Sequence, residues 1–264
     1  MTFPQSDRVV FDKRPLEEVI CQLRFPTILE INTEKPAKFQ NRIRTDYPIY
    51  RIEKPEFPKE LEDLVSGLHI SNPIDLITYK FMAADEKKII SLSPEFVAFS
   101  DAYYIRWEKF YNEVKRAQEA LEEIYKPAFY TRIGLRYRNI IDKEKLGIVN
   151  EPWDGLLMPS LLGLLGAQDN VGRHIDQIMT NATIKVDEVS NARATIQHGI
   201  GKRIPNGNEV YIIDIDVYTT ERSNSQDVPD ILRRFNQFVG NFFRWAITDK
   251  LRGILEPRKL QPED

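Results

Sequence analysis

Cysteine occurs once in this sequence, at Cys21, so no internal disulfide can staple the fold. That usage fits a reducing compartment, and the cytoplasm is the expectation. Histidine occurs three times, at His69, His174 and His198, with no spacing that suits a metal-ligand set. No stretch approaches the ~20 apolar residues that span a bilayer. The segment from Met1 to Arg14 is charged and lacks an apolar run, so neither a membrane association nor a signal peptide is expected. Basic residues are not in excess: Lys and Arg total 37 against 40 Asp and Glu, a net charge of −3. No global field draws nucleic acid in, which counts against a nucleic-acid partner without excluding one. No cofactor motif is complete. Gly199-Ile200-Gly201-Lys202-Arg203 has the glycines and the lysine of a phosphate loop. It lacks the full pattern and leads into a strand, not a helix, so the required context is missing.

What remains is enough for a large core. Hydrophobic residues make up 42% of 264 positions, which suffices to bury a sizeable interior without cross-links. Residues 15–25 alternate as a strand, with Val19, Cys21, Leu23 and Phe25 on one side and Glu18, Gln22 and Arg24 on the other. Thr33 and Pro36 predict a helix start, with Phe39, Ile43 and Tyr47 on one face. Residues 48–73 contain Pro48, Pro55, Pro58 and Pro73 and read as irregular. Short strands are predicted near 76–83, 87–93 and 95–100. A long helix follows, capped by Asp101, with Tyr103, Trp107, Phe110, Val114, Ala117, Leu121 and Ile124 along one stripe.

The second part repeats this order. Residues 129–141 alternate as a strand and a short helix starts at Pro159. Strands follow near 173–186 and 192–200, and Asn206-Gly207 signals a hairpin turn. Residues 210–220 form a further strand. A last helix begins near Asp227, carries Ile231, Phe235, Phe238, Phe242 and Trp245, and ends at Gly253. Gln22-Leu23-Arg24-Phe25 is echoed by Gly134-Leu135-Arg136-Tyr137. The expected architecture is therefore α+β. Two duplicated β-α-β-β-β-α halves, 1–126 and 127–264, form antiparallel sheet, each half covered by a long helix.

Candidate site residues follow from strand parity. Arg132, Arg136 and Arg138 share one strand face, Gly134 lies between them, and Arg24 holds the equivalent place in the first half. Such a row can converge on a phosphate or carboxylate. It can equally pair with Asp214 and Asp216, whose alternation places them on one face, as an internal ion-pair lattice. Read as metal ligands, those two aspartates lack a third partner. Lys202 and Arg203 sit at a hairpin tip, expected to be mobile, where they could touch a partner. Cys21 reads as a core residue, and the Lys87-Lys88 and Lys143/Lys145 clusters read as solvated turns.

Pro15-Leu16-Glu17-Glu18-Val19 leading into Gln22-Leu23-Arg24-Phe25, together with Arg132-Ile133-Gly134-Leu135-Arg136-Tyr137 and Asn139, resembles a sporadically distributed prokaryotic protein family. Its central signature is close to R-I-G-L-R-Y-x-N, and Phe242-Phe243 with Ile247-Thr248-Asp249 fits its closing helix. Position 138, here Arg, departs from the smaller apolar or aromatic residue of that pattern. The resemblance implies no activity, substrate or catalytic residue. Patchy distribution suits accessory genes such as defence or toxin-neutralising cargo. The implied role is non-enzymatic recognition of a protein partner encoded nearby, or a homo-oligomer. The alternative is a binder or enzyme of a small anionic ligand or nucleotide, using the arginine-lined face.

Overall fold

The computed structural model describes residues 2–5, 7–53, 77–166 and 171–259. Up to Tyr125 the order is β1 (Val9–Phe11), β2 (Leu16–Arg24), α1 (Glu30–Thr33), α2 (Ala37–Ile43), β3 (Ile49–Glu53), β4 (Thr78–Met82), β5 (Lys88–Ser93), β6 (Phe96–Asp101) and α3 (Trp107–Tyr125). After it come β7 (Arg132–Asp142), α4 (Lys143–Leu146), α5 (Pro159–Leu162), β8 (Ile178–Val186), β9 (Ala192–Lys202), β10 (Glu209–Thr219), α6 (Val228–Ala246), α7 (Asp249–Ile254) and β11 (Pro257–Lys259).

Among the described residues, nine strands make one antiparallel sheet in the order β3-β4-β5-β6-β2-β7-β10-β9-β8, and β1 pairs with β11 in a separate ribbon. The sheet is continuous across the chain because β2 pairs with β7. Gln22 opposes Gly134, Leu23 opposes Ile133 and Cys21 opposes Leu135. Outward from this junction the order is β6, β5, β4, β3 on one side and β10, β9, β8 on the other.

Strand alternation sorts the two faces. Val19, Cys21, Leu23, Ile133, Leu135, Ile213, Ile215 and Val217 are all at most 2% exposed and face the helix layer. The helix α3 buries Phe110, Val114, Ala117 and Leu121 beside β6 and α2, and α6 buries Phe235, Phe238 and Phe242 over β7 and β10. Each fully buried phenylalanine contributes about 2–3 kcal/mol of apolar transfer. Pro229 in the first turn starts α6, and Lys126 in the left-handed region before Pro127 ends α3. No helix among the described residues is long and apolar enough to cross a membrane.

Several local expectations fail. Residues 49–53 are a strand, although 48–73 reads as irregular. Residues 54–73, with His69, lie outside the described residues. Thr33 ends α1, Pro36 precedes α2, and Tyr47 is buried beyond the helix. Helix α3 starts at Trp107, four residues after Tyr103. Asp101 turns the chain by accepting from the Tyr103 amide at 2.7 Å, which leaves Tyr103 exposed. Gly253 lies inside α7; Ile247, extended, ends α6, and the Thr248 hydroxyl caps α7.

Candidate functional site

The arginine row lies on the sheet face away from the helices, and acids of the same sheet neutralise much of it. Arg136 donates from Nε to Asp214 Oδ1 at 2.8 Å and from Nη2 to Oδ2 at 2.5 Å, a two-pronged pair. Arg132 donates to Asp216 at 2.6 Å and to Gln22 at 3.2 Å. Its guanidinium lies over the Tyr218 ring and over Gly134, where an added Cβ would meet it. Gly134 thus makes room for the neighbouring arginine, not for a ligand. Arg24 pairs with Glu95 at 3.1 Å. Arg138 is exposed, with Glu18 and Asp214 opposite it on the flanking strands. Asn139 points the other way and is buried.

The hairpin tip is pinned on one side. Arg203 reaches Glu17 on β2 and lies 3.3 Å from Asp142, whereas Lys202 and its partner Asp176 stay solvated. Lys143 is not a solvated turn: it is buried over the Trp153 ring at 4.1 Å and pairs with Glu209. His198 shares a 2.8 Å hydrogen bond with the Tyr211 hydroxyl. Because Asp214 is the buried partner, Arg136→Ala is expected to strand its carboxylate and cost about 1–2 kcal/mol. Urea melts would read this, and an unchanged midpoint would mean that the pair contributes nothing.

The opposite, helix-covered side holds a pocket. A cavity of about 780 Å³ opens between the N-terminal segment, the loop leading into α3, and the face of α6. Tyr137 and Asn139 of β7 line it from the sheet. Among the described residues its walls carry Arg8, Arg14, Arg106, Arg233, Arg234 and Arg244 against three acids, Asp7, Asp187 and Glu188. Some of these cations are anchored nearby. Glu108 receives Arg8 at 2.8 Å and Arg106 at 3.0 Å, and Asp230 receives Arg233 and Arg234. Arg244 donates to Asn241 Oδ1 at 2.9 Å, and its head lies along Gly240, one turn earlier, where an added Cβ would sit 3.1 Å from Nη1. Burial, then Arg252 and Arg8, lower the affinity of Arg244 for its proton. A partly desolvated cation beside other cations is stabilised by an incoming anion.

Neutral groups complete the walls. The Tyr104 and Tyr137 rings meet edge to face at 5.7 Å, and Tyr137 donates to Asn236 at 2.8 Å. Burial pushes the Tyr104 phenol up to about 12, so at neutral pH it is a hydrogen-bonding group, not a base. Asn139 and Asn241 add buried amides. This assembly draws on segments far apart in sequence, and none of its arginines stands out in a motif. One signal was readable: Arg233 and Arg244 are eleven residues apart, three turns, and so share a helix face.

The Arg8–Glu108 pair ties the N-terminal segment to the start of α3. Its hydrogen bond to Arg8 holds Glu108 down from 4.5 to about 2. A lowered carboxylate pKa contributes stability above the unfolded value, and that contribution is lost as pH falls toward 2. Both side chains are nearly half exposed, so the pair is worth at most about 1 kcal/mol. Glu108→Gln is expected to lower the melting midpoint slightly at pH 7, and the difference from the parent should close between pH 4.5 and 2. A constant gap across that range would mean that Glu108 acts by packing.

Among the described residues no group of three His, Cys, Asp or Glu side chains is placed to hold a metal ion. No protein-family model matches the chain, and no curated protein matches it.

Proposed function

We propose that the protein is a recognition module that holds a small organic anion in the cavity between the N-terminal segment and α6. The observation that carries this is the charge of the walls, twice as many arginines as acids. The whole chain, by contrast, carries a net charge of −3. Volumes of roughly 300–1,000 Å³ suit a metabolite-sized ligand, and buried amides with aromatic rings supply orientation. This keeps the binding role expected from the sequence and moves the anion from the sheet face to the cavity, because on the sheet Arg24, Arg132 and Arg136 each have an acid of their own, whereas at the cavity Glu108 and Asp230 are each shared by two arginines. A setting beside a partner encoded nearby, in defence or toxin neutralisation, rests on the family resemblance.

A thermal-shift panel of inorganic phosphate, nucleotides, sugar phosphates and di- and tricarboxylates tests the reading, with 8-anilinonaphthalene-1-sulfonate as fluorescent surrogate. At least one anion is expected to raise the melting midpoint in a saturable way. No shift by any member at millimolar concentration, together with no surrogate fluorescence, would overturn it.

We further infer that residues 1–126 and 127–264 are copies of one unit. Support comes from the register: Gln22 and Gly134, the first positions of the two echoes, face each other, as a two-fold through that pair requires. The outward strand order, shared except for β3, which is a fourth outer strand in the first half beyond the expected three, and two 19-residue helices, α3 and α6, support it as well. Superposing 16–125 on 132–246 should bring Leu23 onto Leu135. A best fit that matches different strands would refute the idea.

A further inference from the structure

Among the described residues the sheet ends on one side in a strand with little of the usual protection, a single lysine, Lys185, near its end. Strand β8 runs Ile178–Val186 and pairs only with β9, so its outer row of N–H and C=O groups has no partner strand among the described residues. Protein edges are normally blunted by charge, proline, a bulge or a covering element. Residues 178–184, Ile-Met-Thr-Asn-Ala-Thr-Ile, contain no charge and no proline, and the β8–β9 register is unbroken from Ile178 to Val186. The helix layer stops short of it. Thr180 and Ala182 are on the helix-side face, opposite His198 and Ile196, yet both are exposed. The other edge, β3, carries two charges in five residues, Arg51 and Glu53, against one in nine on β8.

We propose that β8 is the interface of a homodimer in which the two copies pair antiparallel about Ala182. The observation that names a second copy as occupant is self-complementarity. With Ala182 opposite itself, Thr180 faces Ile184, Ile178 faces Val186, Asn181 faces Thr183, and Lys185 faces Met179. No like charges meet, and the two lysines end up roughly 20 Å apart at ~3.4 Å per residue. Five of the nine residues are β-branched, and paired β-branched residues stabilise cross-strand contacts. Nine paired residues make about nine main-chain hydrogen bonds, close to the ~10 of an ordinary interface. A two-fold perpendicular to the sheet leaves both helix layers on the same side and doubles the nine-stranded sheet. It repeats at the edge the antiparallel joint that β2 and β7 make at the centre. This interface is independent of the anion cavity.

Sedimentation of the full chain at tens of micromolar is the first measurement. A mass near twice the 30.9 kDa of the chain is expected. Ala182→Lys places two lysines face to face and should shift that mass to the monomer, and an equimolar mixture with Ala182→Glu should return it to the dimer. Ala182→Cys keeps the position small if the charged variants fold poorly. It should form a disulfide-linked dimer on mild oxidation, since directly opposed residues bring their Cα atoms to about 4.5–5.5 Å. The native Cys21 is 1% exposed and stays silent. Thr180→Cys is the register control: its two copies would stand roughly 14 Å apart at ~3.4 Å per residue and should not link. A monomeric parent chain overturns the proposal. So does a dimer that Ala182→Lys leaves intact, or equal cross-linking at 180 and 182.

Discussion

Arg244→Ala is expected to weaken binding of 8-anilinonaphthalene-1-sulfonate by about ten- to a hundredfold, the loss of one charge-assisted hydrogen bond. Arg244 is singled out among the cavity arginines by position. Arg233 and Arg234 share Asp230 at the helix surface and Arg8 is held by Glu108; Arg244 is drawn inward along Gly240 and donates to the Asn241 amide oxygen, with Asp7 near enough to favour its charge. Its proton affinity is reduced by burial and by the positive Arg252 and Arg8, so an anion there gains more than at a solvated site. Arg244→Lys keeps the charge but loses the planar fork, and should fall between the two. Fluorescence titration reads the affinity, and a melt of the free variants reads stability. A surrogate affinity unchanged in Arg244→Ala would move the anion away from this wall. A loss of affinity matched by collapse of the melt would instead make Arg244 structural.

Much of the sheet was legible because its signals are local. Alternation marks β2, β7 and β10, Asn206-Gly207 marks the β9–β10 turn, and Pro159 marks α5. What escaped depends on distant partners. Strand β3 is short, mostly exposed and sits next to prolines, so neither alternation nor burial signals it. Lys143 looks like any surface lysine until Trp153 and Glu209, far along the chain, close over it. The arginines and aspartates could be assigned to one face by parity, but their pairing needed the register. Asp216 is directly opposite Arg136, yet Arg136 bridges to Asp214, and Arg132 leans over Gly134 to take Asp216. The cavity was the least legible, since its walls meet only when the N-terminal segment crosses α6.

Gly199→Ala is expected to cost about 2–3 kcal/mol, the upper part of the range for forcing an extra carbon into packed surroundings, while Gly201→Ala costs close to nothing. The two glycines look alike in sequence, as parts of an incomplete phosphate loop. In the fold they differ. A Cβ on Gly199 would collide with the Ile178 carbonyl oxygen and lie 2.8 Å from its carbon and 3.0 Å from Met179 Cα. Those are backbone atoms of β8, which cannot swing aside as a side-chain tip can. A Cβ on Gly201 meets nothing within 4 Å. Backbone strain adds to this, because φ at Gly199 is +158°, a value that residues with a side chain rarely adopt. The larger cause is close approach of one strand to the next, a common reason for glycine within a strand. For a chain this long, 2–3 kcal/mol lowers the melting midpoint by roughly 4–12 °C. Local effects should exceed the global one. Amide exchange in 178–186 should accelerate first, while 132–142, at the centre of the sheet, keeps its protection. Equal melts for the two alanine variants, or exchange that rises uniformly along the sheet, would show that β8 tolerates the extra carbon and that Gly199 is kept for another reason.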